Sequence, residues 1–175
     1  EYGTPVAGQV LGGRWKPMQY WYKKSVYADV MATCGAGGVC YVKNDQPAPF
    51  DGSVTVTSYT FATGEATVLL QKPFSLPAGP GVTSWFNVTL PATPADEILR
   101  AVVTGAAEVE GGEAPTLADN LIPLTRPAQM AVSKAVVHFA FGAAAADGSV
   151  PIKLTTDKVA VYVTLTTLAD GRFSD

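Results

Sequence analysis

Hydrophobic and polar residues alternate with a period of two along most of this chain. In "GSVTVTSY", Val54 and Val56 alternate with Thr55 and Thr57, the signature of a half-buried strand. "DVMATC" and "VCYVKND" predict a hairpin around Gly35 to Gly38, and "EATVLLQ" a strand after the turn signal Thr63-Gly64. "VTSWFNVTL" and "ILRAVVTG" predict two more, separated by the Pro-rich "PATPADE". These six strands are enough for one β-sandwich. "NLIPLTRPAQ", with two prolines at close spacing, reads as an interdomain connection. Beyond it, "MAVSKAVVHFAF", "SVPIKLTT" and "VAVYVTLTT" predict three further strands, with a turn at Asp147-Gly148. The last carries Val159, Val161, Val163 and Leu165 on one face. Three strands make a poor stand-alone domain, so the second β region is expected to be part of a sandwich.

The front of the chain breaks this period. Trp15, Met18 and Tyr22 fall at i, i+3 and i+7, one apolar face of a helix, with Tyr20, Trp21 and Tyr27 beside it. Pro17 suits only the first turn, so the helix is expected to start near Arg14 to Lys16. Lys23-Lys24 closes it, where cations favour the helix dipole. So large an aromatic surface on so short a helix is expected to be buried in a core rather than to form a ligand box. The pattern therefore predicts an all-β chain preceded by one short helix, with both its beginning and its end reading as cut.

Composition narrows the function classes. At 175 residues, 47% hydrophobic and 15% charged, the chain is of globular type. A net charge of −3 with scattered basic residues gives no footprint for nucleic acid. No apolar run approaches the roughly 20 residues needed to span a bilayer, so no membrane partner is expected. The first residues lack the charged start and apolar stretch of a signal peptide, which says nothing of a longer parent.

Cys34 and Cys40 flank a Gly-rich turn, so a cross-hairpin disulfide is sterically open to them. The alternative is a pair of small, half-buried apolar residues. A zinc site is not expected, because His138 is the only histidine and two thiols lack partners. No cofactor is expected either. Asn87-Val88-Thr89 is an N-glycosylation sequon within a predicted strand. With the cysteine pair it leans toward a secreted, vacuolar or lysosomal location.

No catalytic constellation stands out. Glu1 and Glu97 flank turns, Glu65 opens a strand, and Glu108, Glu110 and Glu113 share a Gly-rich loop that reads as solvated surface. His138, in "VVHFAF", lies on a strand, and no nucleophile elbow or phosphate loop is present. Sugar platforms use exposed aromatic rings, for which Trp85-Phe86 and Tyr59 are available. Neighbours on a strand point to opposite faces, so at most one of Trp85 and Phe86 is core, and structural packing is the expected role of these rings.

Three stretches carry a resemblance. "GGRWKPMQYWYKKSVYADV" resembles the join between the catalytic barrel and the next domain in glycoside hydrolase family 2 enzymes of the β-mannosidase and exo-β-glucosaminidase type, through Gly13, Arg14, Trp15, Lys16, Tyr20, Lys24, Tyr27 and Ala28. The opening "EYG" also looks like the residues before that run, with "TPVAGQVLG" inserted between. "YVKNDQPAPFDGSVTV" resembles the family's strand-turn-strand through Asn44, Asp45, Pro47, Pro49 and Gly52. "ADGRFSD" resembles a segment of its final immunoglobulin-like domain through Gly171, Arg172, Phe173, Ser174 and Asp175. "DNLIPLTRP" fits the corresponding family stretch only at Asn120 and Leu124.

The resemblance implies residues 1–28 as the end of a catalytic barrel. It implies 29–124 as an immunoglobulin-like β-sandwich and 125–175 as a truncated second one. The short helix would be the remnant of a (β/α)8 barrel, with Trp15, Met18 and Tyr22 packing against it. The implied partner is the catalytic barrel of the same parent, covalent or as a separate subunit, with carbohydrate substrate bound through that parent. Retaining glycosidases need two carboxylates about 5–5.5 Å apart, and in this family both lie on barrel strands upstream of these residues. No catalytic residue is therefore assigned. The alternative is a stand-alone carbohydrate-binding or structural sandwich.

Overall fold

The computed structural model describes residues 10–11, 14–35, 37–106, 112–167 and 173, with backbone alone at 10, 11, 14 and 15. Two short strands, β1 (Val10–Leu11) and β2 (Arg14–Trp15), pair and lead into α1 (Pro17–Lys24). The helix starts later than its periodicity suggested. Lys16 is the N-cap at ψ 157° and Pro17 is the first helical residue, because a residue before proline is pushed out of helical geometry. Trp15 therefore belongs to β2, not to a helical face with Met18 and Tyr22, and its side chain lies outside the described residues.

The sandwich has seven strands among the described residues, one more than the alternation indicated. One sheet has the order β3 (Val30–Cys34), β4 (Val39–Asn44), β7 (Val82–Asn87). The other has the order β6 (Ala66–Leu76), β5 (Phe50–Thr60), β8 (Glu97–Gly105), β9 (Thr116–Pro123). All pairings in these sheets are antiparallel. This is an immunoglobulin-like Greek key in which the fourth strand stays with the sheet of the third, sixth and seventh.

β9 begins ahead of "NLIPLTRPAQ" and takes in the first residues of that stretch, Asn120 to Pro123. Ala118 and Ile122 face the core, and Pro123 is tolerated because it closes an edge strand. The opposite edge, β6, likewise runs past its predicted end and carries Lys72 and Pro73, residue types that blunt a sheet edge against further pairing.

The core follows from the period. Val30, Ala32, Val42 and Phe86 from one sheet meet Val54, Val56, Leu99, Ala101 and Val103 from the other. Each of the valine, leucine and phenylalanine side chains contributes roughly 1.5–3 kcal/mol on leaving water, and the two alanines less. Along one edge, Asn120 Nδ2 of β9 donates to the Ala32 carbonyl of β3 at 3.3 Å and helps close the sandwich.

Beyond a short 3-10 turn (Pro127–Gln129), β10 (Val137–Phe141) and β11 (Ile152–Thr156) form an antiparallel hairpin. Every residue of β10 is exposed. Residues 159–167, the cleanest alternating pattern in the sequence, are not a strand. Val161, Val163 and Leu165 are half-buried while Tyr162, Thr164 and Thr166 are exposed, so the side chains keep the period of two. The backbone has no ladder partner among the described residues, and Tyr162 sits at φ 56°, which breaks extended geometry.

Candidate functional site

The residues that carried the resemblance in "KNDQPAPFDG" form a clamp rather than a reaction centre. Asn44 is fully buried, and its amide donates to the carbonyls of Ala48 (2.9 Å) and Pro77 (3.0 Å) while accepting from the Gln46 amide (2.9 Å). Asp45 pairs with Lys43 and accepts from the Gly81 amide at 2.8 Å. Both contacts hold its carboxyl below the usual range, the Lys43 hydrogen bond foremost. Gly52 is required sterically, since a Cβ there would lie 2.2 Å from the Thr104 carbonyl oxygen and 2.6 Å from the Phe50 ring.

Cys34 and Cys40 stand opposite one another in the β3–β4 register and are joined by a disulfide. Gly38, at φ 76°, lets the turn between them pass under the Val88 carbonyl, to which a Cβ would come within 2.4 Å.

Among the described residues, the outward face of the three-stranded sheet holds an aromatic platform open to solvent. Trp85 is 64% exposed while its neighbour Phe86 is core. Pairing of β4 with β7 sets Tyr41 opposite Trp85, with ring centroids 5.2 Å apart, and Val39 opposite Asn87. Val39, Tyr41, Trp85 and Asn87 thus form one block. The Trp85–Asn87 spacing was readable from the sequence, whereas Tyr41 enters through a strand pairing between residues far apart in the chain. Tyr59, the other candidate ring, is half-buried and engaged with Arg100. That arginine forks onto Asp119 through two 2.8 Å hydrogen bonds, which raise its already high pKa.

Among the described residues the glutamates stand apart from one another. Ser58 donates to Glu97, Glu65 and Glu113 are exposed, and Glu1, Glu108 and Glu110 lie outside the described residues. His138 is exposed on β10 opposite Thr155. Among the described residues no group of three His, Cys, Asp or Glu is placed to hold a metal ion, and no helix is long and apolar enough to cross a membrane.

Among the described residues, α1 and the β10–β11 hairpin expose apolar side chains. No residue of α1 is buried, and Met18, Val26 and Tyr27 are about half exposed, although Trp21 packs edge-on against Tyr162 at 5.4 Å. Tyr22 is half-buried against Tyr27. On the β10–β11 hairpin, Phe139 and Phe141 are 63% and 67% exposed on the same face as Val137.

Neither a family model nor a curated protein matches the sequence. Among solved structures, the chain is similar to the β-D-mannosidase of Dictyoglomus thermophilum, with a TM-score of 0.60 and 18% identity over 87% of this chain. It is also aligned with the Amycolatopsis orientalis exo-chitosanase CsxA at 14% identity over 82% of this chain, with a TM-score of 0.44. The chain spans 18% of the length of the mannosidase and 19% of that of the exo-chitosanase. The mannosidase match shows the fold: an all-β arrangement also found within a much larger glycosidase.

Proposed function

We propose that this chain is the non-catalytic C-terminal portion, as a fragment or processed subunit, of a retaining exo-β-glycosidase of glycoside hydrolase family 2 acting on β-mannosides or β-glucosaminides. Residues 1–28 then end the catalytic barrel, 29–124 brace it and 125–175 begin the final immunoglobulin-like domain. The observation that carries this reading is the uncovered helix. α1 presents Met18, Trp21 and Tyr22 with none of them buried, on a fold shared with one-fifth or less of a β-mannosidase. A missing barrel as partner supplies the cover that the sandwich does not. The disulfide and the exposed sequon support a secreted, vacuolar or lysosomal site for the parent.

The test is the native mass of the protein in its source, with peptide mapping of every chain present, and assay on aryl β-mannosides and β-glucosaminides. The expected result is a barrel-bearing polypeptide that holds the activity, with the 175-residue chain inert alone. A solitary chain of its own mass, with no barrel polypeptide, would overturn the proposal.

The exposed Trp85–Tyr41 pair favours a second reading, a sugar-binding sandwich. It requires that the chain bind β-mannan or chitosan oligosaccharides and lose them on Trp85→Ala, so a flat titration removes it.

A further inference from the structure

We infer that Asn87 carries an N-linked glycan whose innermost N-acetylglucosamine lies against the Trp85 ring. Three independent features of the fold converge on this. Asn87 is the last residue of β7 and is exposed, so its amide is open to solvent at the point where the strand ends. Thr89, the other residue the sequon needs, is exposed too, while Val88 between them is buried in the core. Val88 also donates its backbone N–H to Gly38 at 2.9 Å. The folded sandwich thus anchors the middle of the sequon and presents both of its functional side chains outward.

The third feature is Trp85. It lies two residues before Asn87 on the same face, about 7 Å away along the strand, and it is largely uncovered. A pyranose attached at Asn87 and folded back along β7 meets the open face of the indole, whose negative π-surface attracts the polarised C–H bonds of a sugar ring. Tyr41, opposite Trp85 in the register, tilts against the indole with ring centroids 5.2 Å apart. Val39, opposite Asn87, extends the apolar floor. Lys43, the charged residue on this face of β4, is engaged with Asp45.

The covalent step is a simple transfer. Nδ2 of Asn87 attacks C1 of the reducing-end N-acetylglucosamine of a lipid-diphosphate-linked oligosaccharide. The C1–N bond forms as the C1–O bond to the diphosphate breaks. The lipid diphosphate departs with the electron pair, and one amide proton passes to a base. No redox partner is involved.

This inference rests on the secretory routing proposed above, and the experiment separates the two by supplying the route. The chain is expressed behind a secretory leader in a eukaryotic host, and its intact mass is taken before and after enzymatic release of N-glycans. A glycan on Asn87 is expected, absent in Thr89→Ala and retained in Thr89→Ser. Material trimmed to one N-acetylglucosamine then reports the contact. The acetyl methyl NMR signal should move upfield in the indole ring current, and Tm should exceed that of the unglycosylated chain by roughly 2–4 °C. Both effects should vanish in Trp85→Leu and largely return in Trp85→Tyr. A bare Asn87 overturns the inference, as does a glycan whose methyl signal and Tm effect ignore Trp85. A bare Asn87 would leave the glycosidase reading standing, and an inactive parent would leave the glycan standing.

Discussion

The side-chain amide of Asn44 donates to the Pro77 carbonyl at 3.0 Å, across 33 residues of sequence. Through this contact and its bonds to Ala48 and Gln46, one buried side chain ties the end of β4, the β4–β5 turn and the β6–β7 turn together. Gln46 reinforces the same junction by accepting from the Gly79 amide at 3.0 Å. Asn44, one of the residues that carry the likeness in "KNDQPAPFDG", thus acts on the fold.

Replacing Asn44 by Ala is expected to cost about 2–4 kcal/mol. It strands the Gln46 N–H and two carbonyls in or near the core, each worth roughly 1–3 kcal/mol when left unsatisfied and part of it recovered by water. Urea unfolding of Asn44→Ala against the parent chain measures this. Asn44→Asp should also destabilise, because it keeps the acceptor for Gln46 and loses both donors. An Asn44→Ala midpoint equal to that of the parent would remove the clamp from the account.

How far the sequence alone reaches is plain from particular elements. Alternation located β5 and β8 because both of their sheet faces have distinct environments and their strands are central. β9 escaped notice because Pro123 and Pro127 dominate local reading, and only the edge position makes the first of them harmless. Val159 to Leu165 show the reverse case. The alternation is real in the side chains, yet a strand also needs a hydrogen-bonded neighbour, and a sequence window does not contain one. The Trp85–Asn87 relation was legible because it is local. Tyr41 was not, since the β4–β7 register sets it opposite Trp85, a residue distant in sequence.

Two glycines are expected to reject alanine. At Gly52 the new Cβ would meet the Thr104 carbonyl of a paired central strand, which cannot yield without breaking the β5–β8 ladder. At Gly38 it would meet the Val88 carbonyl in a backbone already at φ 76°. Each substitution should cost about 1–3 kcal/mol. Gly81, also at positive φ but with open space around it, is the control in which only the backbone effect appears. Thermal unfolding of the three variants side by side should rank Gly81→Ala as the mildest.

The disulfide closes a short loop, six residues apart in sequence. The chain-entropy relation then assigns it about 2 kcal/mol. The double variant Cys34→Ala, Cys40→Ala should lose about that much, a little more where the buried sulfurs leave space. Because Cys40 is fully buried and Cys34 nearly so, the native bridge should resist a thiol reductant until the sandwich opens. Mass-resolved thiol labelling with and without urea checks this, and rapid labelling of the reduced native protein without urea would contradict it.

Acid should weaken the fold in a predictable direction. Asp45 is held below its ordinary value by the hydrogen bond from Lys43 and then by the Gly81 amide. Asp147 is lowered by the Ser149 amide, and Asp157 by the Val136 amide. A carboxylate with a depressed folded pKa binds fewer protons in the native state than in the unfolded one. Its stabilisation is complete above the unfolded value of about 3.9 and is lost as pH falls through the folded value. Tm should therefore be level from neutral pH down to about pH 5 as far as these groups decide it, then fall. Asp45→Asn should lower the neutral-pH plateau and flatten part of the acid limb, since the neutral amide cannot gain the charge-assisted contact at any pH. Carboxyl carbon shifts followed from pH 7 to 2 identify the groups directly, and an Asp45 midpoint at or above the model-peptide value would break the link between the Lys43–Asp45–Gly81 contacts and acid stability.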